Sequence, residues 1–293
     1  MRVNIETLNA ATRADFSAAL GGVFEHSPWV AERAHAHAPF ATVAGLFEAM
    51  AAAVAHATRE EKLALVRAHP DLAGQAARAG KLSTASAAEQ GGLGLDKFSG
   101  KEFDRFERLN RAYKEKFSFP FVICVRRQTR DAILDAFEWR LKNDAGAELA
   151  TALAEISLIA RLRLAEKVEG PGMPKTEGRL TTHVLDTHSG RPAAGVAIEL
   201  HEIGASASAL IAKAITNADG RTDQPLLAGG PLRVGRYELR FHVGDYFAGR
   251  KLGLPAPPFL DVVPVRFSVA EPEGHYHVPL LVSPWSYATY RGS

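Results

Sequence analysis

His275 and His277 of the segment HYH are separated by one residue, which is a spacing typical of a catalytic or metal-binding pair. In a β-strand, residues two apart face the same side of the sheet, so both imidazoles would project together. Such a pair suits a general base that activates water, with a second group that orients it or donates a proton. It would also suit a metal ion with His183 as a third ligand, although no carboxylate or cysteine joins the set at a familiar spacing. Spacing alone equally allows two solvated histidines on an exposed sheet face.

A third histidine of interest is His69 in RAHPDLAG (67–74), where it ends a predicted helix immediately before Pro70. A histidine at this end of a helix often serves only as a favourable partner of the helix dipole. Two arginines, Arg161 and Arg163, lie two positions apart in a later predicted helix. They therefore occupy different faces, and we expect one to point inward and the other to be solvated.

Composition and motifs exclude several classes of function. The formal net charge is +2 and the basic residues form no blocks, which argues against nucleic acid and membrane partners. No apolar run approaches the roughly 18 residues of a membrane span, and the first twenty residues lack the apolar region of a signal peptide, so we expect a cytoplasmic protein. The single cysteine, Cys124, lies in the apolar run FPFVICV and is expected in the core. No phosphate-binding glycine motif occurs, so no nucleotide cofactor is expected.

The elements that must position these residues fall into two regions. Residues 1–168 show helical periodicity and few strand signals, which predicts an all-α helical-bundle domain. Ser27 with Pro28 and Thr58 with Glu61 are expected to begin two of its helices. The helix near its end is predicted to carry one apolar stripe, as is the earlier segment KEFDRFERLNRAYKEKF.

The segment EGPGMPKTEG (169–178) is predicted to be a linker, because its prolines and glycines favour neither helix nor strand. Beyond it, residues 179–293 alternate with a period of two, as Val196, Ile198 and Leu200 do against polar or small neighbours. Short strands separated by turns such as NADG (217–220) predict a second, all-β domain folded as a sandwich.

The second domain resembles the transthyretin-like 5-hydroxyisourate hydrolases over the whole of 179–293. The resemblance rests on LTTHVLDTHSGRPAAGV, TNADGRTD, GRYELRFHVGDYF and the ending HYHVPLLVSPWSYATYRGS, whose YRGS is typical of the hydrolases rather than of the hormone carriers. It implies a tetramer with its sites at a subunit interface. It also implies that the site comprises His183, Arg221, His275, His277, Tyr290 and Ser293.

These residue types suit the hydrolysis of a cyclic ureide. One imidazole, either His277 or His183, can take a proton from the attacking water. The planar guanidinium of Arg221 can hold the negative charge that develops on oxygen. The hydroxyls and the carboxylate of the tail could orient the ring.

The first domain resembles the 2-oxo-4-hydroxy-4-carboxy-5-ureidoimidazoline (OHCU) decarboxylases over about 1–168. Four segments carry this resemblance in order: HPDLAG, LSTASAAEQ, NRAYKEKF with FPFVICV, and EISLIARLRL. The family pattern has glycine where this chain has Ser118, and a serine would be strained there if the backbone needs a positive φ.

The resemblance implies that His69 is the acid–base residue, with Glu89 fixing its tautomer. Ser86 and Glu89 also form a capping-box pattern, which is the structural alternative for this glutamate. Arg163, rather than Arg161, would hold substrate charge. The other residues expected to bind substrate are Pro70, Ser86, Gln90, Phe119, Pro120, Phe121, Val122 and Ile123.

Together the two resemblances predict a bifunctional enzyme that converts 5-hydroxyisourate to (S)-allantoin in two consecutive steps, without metal or other cofactor. Its partners would be its two small-molecule substrates and further copies of itself. Three alternatives remain: a chain in which only the β domain is catalytic, a transthyretin-like carrier of small molecules, and a metal-dependent hydrolase.

Overall fold

The computed structural model describes residues 2–72, 100–205, 207–250 and 252–292. The chain divides into two compact units. The first comprises residues 1–126 and 133–176, and the second comprises residues 127–132 and 177–293. The short segment 127–132 thus belongs with the second unit, which no pattern in the sequence predicts.

The first unit is helical, as its periodicity predicted. A pair of two-residue strands, β1 (Val3–Asn4) and β2 (Val168–Glu169), joins the two ends of this unit in parallel. The described helices are α1 (Ile5–Asn9), α2 (Arg13–Leu20), α3 (Pro28–His35), α4 (Val43–Ala55), α5 (Arg59–Arg67), α6 (Gly100–Phe117), α7 (Arg130–Arg140) and α8 (Ala145–Lys167).

The predicted helix starts are confirmed. Thr58 and Glu61 form both hydrogen bonds of a capping box at the start of α5. Pro28 occupies the first turn of α3, where its missing N–H costs nothing, although the Ser27 side chain makes no capping hydrogen bond. The capping box at Thr58 fixes where α5 begins, and the chain continues from the end of α5 to His69.

The helices pack around a single apolar core. The stripe on α6 contributes Phe106, Leu109, Tyr113 and Phe117, all of which are buried. Cys124 is also buried in this core, as expected. Arg140 and Glu148 form a buried ion pair beside the Tyr113 hydroxyl, so their charges are neutralised within the core.

The predicted linker begins in contact with the first unit. The carbonyl oxygens of Pro171 and Gly172 accept hydrogen bonds from the N–H groups of Val43 and Ala44, at 3.0 and 2.9 Å. These two N–H groups belong to the first turn of α4, where a backbone N–H group has no acceptor within its own helix. The start of the linker therefore caps α4.

The described residues of the second unit form short strands: β3 (Gly178–Thr181), β4 (Val184–Asp186), β5 (Arg191–Pro192), β6 (Ala197–Ile203), β7 (Ser208–Ile215), β8 (Leu227–Gly230), β9 (Gly235–His242), β10 (Val262–Val269), β11 (His275–His277), β12 (Leu280–Ser283) and β13 (Ser286–Thr289). Within this described part, the strands make three sheets, with the orders β10-β9-β6-β7, β11-β3-β8 and β13-β12-β4-β5.

The alternation predicted around β6 is confirmed, because Val196, Ile198 and Leu200 are all buried. A short helix, α9 (Val243–Ala248), interrupts the strands and was not predicted. No helix in the described part of the chain is both long and apolar enough to cross a membrane.

Candidate active sites

Three histidines and one threonine of the second unit form a continuous hydrogen-bonded chain. Nδ1 of His183 lies 2.7 Å from Nε2 of His277. Nδ1 of His277 lies 2.8 Å from Oγ1 of Thr181, and the same oxygen lies 2.9 Å from Nε2 of His275. The pairing of His275 with His277 expected from their spacing is thus made through a threonine rather than directly.

Strand register brings these side chains together. Strand β11 pairs in parallel with β3, so that His277 lies opposite Thr181 and His275 lies opposite Arg179. His183 follows two residues after Thr181, just before β4. Side chains directly opposite on neighbouring strands are in contact range, which places the four groups along one line.

The environment keeps these histidines neutral. Burial lowers the pKa of His183 and His277, and the nearby charge of Arg221 lowers both further. Burial also lowers the pKa of His275, with a smaller contribution from Arg179. Neutral imidazoles have a free nitrogen lone pair, so the group can take up a proton near neutral pH.

The remaining residues predicted for this site differ in their placement. Arg221 forms an isolated backbone bridge with His183, immediately after the turn at Asn217–Gly220. The turn requires glycine, since Gly220 has a φ of +69° and a Cβ there would lie 2.4 Å from the carbonyl oxygen of Val184. Arg221 is exposed, as is Tyr290.

The chain's last described residues lie against His277. The N–H of Gly292 donates to the carbonyl oxygen of His277 at 2.8 Å, and a Cβ on Gly292 would lie 2.6 Å from Cδ2 of that histidine. The tail is therefore held at the site by backbone contact. Ser293, which was predicted to belong to the site, lies outside the described residues.

The histidine nitrogens that face one another are engaged in hydrogen bonds. Nδ1 of His183 and Nε2 of His277 point at each other across a hydrogen bond, so neither lone pair is directed at a common third atom. Among the described residues, no group of three or more His, Cys, Asp or Glu side chains could hold a metal ion.

In the first unit, His69 is buried directly after α5. Its Nδ1 lies 3.0 Å from the carbonyl oxygen of Leu65. Since a carbonyl only accepts, Nδ1 carries the proton and the neutral ring presents its lone pair on Nε2. Nε2 is buried and has no hydrogen-bond partner among the described residues.

Burial lowers the pKa of His69 to about 4, against smaller opposing contributions from the Leu65 carbonyl and Glu25. His69 is therefore neutral at physiological pH. An unpartnered, buried nitrogen lone pair is costly unless a ligand uses it, which is the pattern expected of a functional base.

A cavity of about 410 Å³ adjoins this histidine. It is lined by Arg67, His69, Asp71, Lys114, Ser118, Phe119 and Pro120. Lys114 and Asp71 form an ion pair of 2.7 Å at its wall, and Nε of Arg67 donates to the carbonyl oxygen of Ser118 at 3.3 Å. The lining therefore combines charged side chains with the aromatic ring of Phe119, as a site for a small polar ring would.

The predicted wall 119–123 is only partly available to a ligand. Phe119 and Pro120 line the cavity. Phe121 stacks on Phe137 in the core, with ring centroids 3.6 Å apart. The carbonyl oxygen of Val122 accepts a hydrogen bond from Arg140 at 2.8 Å, and Ile123 is buried.

Of the two arginines, Arg163 is the one that points inward. It is buried and forms a 2.6 Å ion pair with Glu25, which is also buried. Arg161 is partly buried. Both charges of the buried pair act on the pKa of His69, that of Glu25 raising it and that of Arg163 lowering it.

Ser118 has a φ of +60°, the left-handed conformation that favours glycine. The chain therefore keeps the backbone shape at the position where the family pattern has glycine. Pro70 is partly buried beside His69. Ser86, Glu89 and Gln90 lie outside the described residues.

Sequence patterns did not reveal several residues of both sites. Glu25 gave no signal, because its partner Arg163 is 138 positions away. Thr181 lies in the segment LTTHVLD, where a threonine is not by itself a sign of function. Arg67, Asp71 and Lys114 are ordinary surface charges in the sequence, and only the cavity shows their proximity.

The helical unit contains a buried neutral histidine and the β-sandwich contains a chain of hydrogen-bonded histidines. Together they define a two-domain enzyme with one site in each unit. The family model described as OHCU decarboxylase matches residues 9–165, and that of the HIUase/Transthyretin family matches residues 180–292. The chain belongs to the OHCU decarboxylase family in its helical part and to the HIUase/Transthyretin family in its β part.

Individual relatives agree with this division. A 5-hydroxyisourate hydrolase of Deinococcus radiodurans is 56% identical over 114 residues, which are 39% of this chain and 95% of that protein. A 2-oxo-4-hydroxy-4-carboxy-5-ureidoimidazoline decarboxylase of Haloferax volcanii is 45% identical over 164 residues, 55% of this chain and 95% of that protein.

A solved structure matches the chain from end to end. The crystal structure of (S)-allantoin synthase is 36% identical, covers 99% of this chain and 100% of its own, and superposes with a TM-score of 0.54. Both parts thus occur together in one relative.

Proposed function

We propose that this chain catalyses two consecutive steps of urate breakdown. The β unit hydrolyses 5-hydroxyisourate to OHCU, and the helical unit decarboxylates OHCU to (S)-allantoin. The observation that carries this proposal is the end-to-end similarity to an (S)-allantoin synthase, in a chain that retains a reactive histidine in each unit.

In the hydrolase site, the His183–His277 pair acts as the general base. A neutral imidazole takes a proton from water, and the resulting hydroxide attacks a ring carbonyl. The carbon–nitrogen bond of the ring then breaks while the leaving nitrogen takes the proton back from the protonated histidines, which restores the neutral base. Arg221 stabilises the negative charge on the carbonyl oxygen and holds the pair in its neutral form. His275, Tyr290 and Ser293 are assigned to the same site as orienting groups.

In the decarboxylase site, Nε2 of His69 exchanges a proton with the substrate. The carboxylate leaves as CO2, and its bonding electron pair is delocalised into the imidazoline ring. This pair forms a carbon–carbon double bond in the ring, and the former imine nitrogen takes a proton from solvent. Nε2 accepts the proton of the hydroxyl on the carbon that lost CO2, so that this carbon becomes a carbonyl, and then delivers a proton to the neighbouring carbon that bears the ureido group. A positioned acid–base group of this kind contributes roughly 10²–10⁴-fold to rate.

The other decarboxylase residues are assigned to substrate binding. Arg163 holds substrate charge, and Phe119 and Pro120 form the apolar wall against which the ring lies. The remaining assignments to this site follow from the resemblance: Glu89 as a catalytic partner of His69, whose tautomer is already fixed by the Leu65 carbonyl, with Pro70, Ser86, Gln90, Phe121, Val122 and Ile123 around the substrate.

We infer domain limits of 1–168 and 179–293 with a linker at 169–178, a cytoplasmic location, and a homo-oligomer assembled through the β units.

Several large apolar side chains of the β unit support the oligomer, because they are exposed: Leu210, Ile215, Phe259, Trp285 and Tyr287. Exposed apolar residues of this number are typical of an interaction surface. Sedimentation of the purified chain would measure its assembly.

The experiment that tests the two activities generates 5-hydroxyisourate in place from urate. Its ultraviolet decay reports hydrolysis, and circular dichroism reports optically active allantoin. His277→Ala should slow the ultraviolet decay of 5-hydroxyisourate. His69→Ala should leave this decay as fast as in the wild type but abolish the circular dichroism of enzymatically formed (S)-allantoin. Equal signals from all three proteins would refute the assignment of both sites.

A further inference from the structure

We propose that Thr181 is a positioning residue of the hydrolase site, whose hydroxyl links His275 to the His183–His277 pair in one proton relay. This inference rests on the proposed hydrolase function. It gives His275 an indirect role, because its Nε2 reaches Thr181 at 2.9 Å, and the base itself is His183 at the other end.

The hydrogen-bond inventory restricts the relay to two arrangements. Each of the three contacts holds one proton, and the threonine hydroxyl has one proton to donate. In the first arrangement, Nδ1 of His183 donates to His277, Nδ1 of His277 donates to Thr181, and Thr181 donates to His275. In the second arrangement, every donor and acceptor is reversed.

Only the first arrangement leaves a lone pair on Nε2 of His183. This nitrogen can then take the proton of the attacking water. The proton on Nδ1 passes to Nε2 of His277, the proton on Nδ1 of His277 passes to Thr181, and the hydroxyl proton passes to Nε2 of His275. One proton has then moved from water to His275, and His183 is again neutral.

Electrostatics favours moving the charge along the chain. A protonated His183 would lie near the guanidinium of Arg221, which is unfavourable. His277 is buried, whereas His183 and His275 are half-buried, and it is near the same guanidinium. Arg179 opposes a charge on His275, but His275 lies at the far end of the chain from Arg221 and is not among the groups whose pKa Arg221 lowers.

A valine in place of Thr181 removes the hydroxyl while keeping the shape of the side chain. Thr181→Val should lower kcat for hydrolysis by about 10–100-fold, by analogy with the loss of a hydrogen-bond partner of a metal-bound histidine. KM should change less than about twofold, because Thr181 does not touch the substrate. Thr181→Ser restores the hydroxyl and should recover kcat to within about threefold.

Thr182 offers a matched control. Its buried hydroxyl donates to the carbonyl oxygen of Val278 at 2.7 Å and touches none of the histidines. Thr182→Val should therefore lower the unfolding temperature of the full chain but leave kcat unchanged.

A second variant tests the coupling from the other end. Since His275 acts through Thr181, the double variant Thr181→Val with His275→Gln should be no slower than Thr181→Val alone. The relay would be overturned if the fold-reductions in kcat of the two single variants multiplied in the double variant. An unchanged kcat in Thr181→Val would overturn it as well. A wild-type chain that does not hydrolyse 5-hydroxyisourate would overturn the hydrolase function as well as the relay.

Discussion

Glu25 and Arg163 form a buried ion pair next to His69, with 2.6 Å between Oε2 and the guanidinium nitrogen. The side chains are 5% and 4% exposed, so neither charge has water as a substitute partner. Both charges of the pair act on the pKa of His69, which Glu25 raises and Arg163 lowers.

Glu25→Gln removes one of the two charges of this buried pair and leaves the guanidinium of Arg163 in place. Removing one partner of a buried pair typically costs about 3–5 kcal/mol of unfolding free energy. The change should also lower the pKa of His69 further, because Glu25 raises it, and decarboxylation should slow. Urea unfolding and the decarboxylation rate measure these two effects.

Glu138→Gln is the matched control, because Glu138 pairs with Arg105 at 2.8 Å but is 49% exposed. An exposed pair of this kind contributes about 1 kcal/mol or less. If Glu25→Gln behaves like Glu138→Gln in both measurements, the buried pair has no special role.

The buried neutral state of His69 makes the stability of the helical unit depend on pH. The pKa is about 4 in the folded state, against 6.5 for an unperturbed histidine, so the unfolded chain binds the proton first as pH falls. The contribution of neutral His69 to the free energy of unfolding is fully present above pH 6.5 and is lost as pH decreases towards 4. The loss amounts to about 3 kcal/mol.

Unfolding in urea at about pH 7.5 and about pH 4.5, on either side of the ordinary histidine pKa, measures this loss. His69→Gln cannot titrate, so its unfolding free energy should fall less between the two pH values than that of the wild type. Parallel decreases in both proteins would show that His69 is not buried as a neutral group.

Ser118 adopts a left-handed φ of +60° at the wall of the cavity. Ser118→Gly removes the steric penalty of about 1–2 kcal/mol but increases the entropy of the unfolded chain. We expect a net gain of up to about 1 kcal/mol. Ser118→Val should destabilise by more than this, because a β-branched residue tolerates this conformation poorly. Thermal unfolding of both variants and the wild type tests whether stability decreases in the order Gly, Ser, Val at position 118.

Arg221 sets the pH range of hydrolysis. Its charge lowers the pKa of His183 and His277, and both must be neutral for the base to act. In Arg221→Gln these pKa values should rise, so the acidic limb of kcat/KM should move to higher pH, and the rate at the plateau should fall.

Arg266→Gln provides the comparison, because Arg266 pairs with Glu238 on a different sheet. Its acidic limb should coincide with that of the wild type. An unmoved limb in Arg221→Gln would show that this guanidinium does not act on the histidines.

The change of period near residue 170 was sufficient to predict two domains of different class, because helical and strand periodicities follow directly from local geometry. The capping box at Thr58 was predicted for the same reason, since all its members lie within four residues. Local rules also placed His69 at the end of a helix.

The contacts that define the sites depend on register and on packing between distant segments. Thr181 and His277 are 96 positions apart, and a shift of one residue between β3 and β11 would turn Thr181 away. Similarly, two arginines on different faces of α8 are equivalent in the sequence until Glu25 is seen beside Arg163. No periodicity contains this information.

The most direct test of two working sites in one chain uses the wild-type protein and 5-hydroxyisourate formed from urate in the same cuvette. Ultraviolet absorbance follows the substrate and circular dichroism follows the allantoin. We predict accelerated decay together with a full yield of optically active (S)-allantoin. Accelerated decay that ends in racemic allantoin would contradict the decarboxylase site, and decay at the spontaneous rate would contradict the hydrolase site.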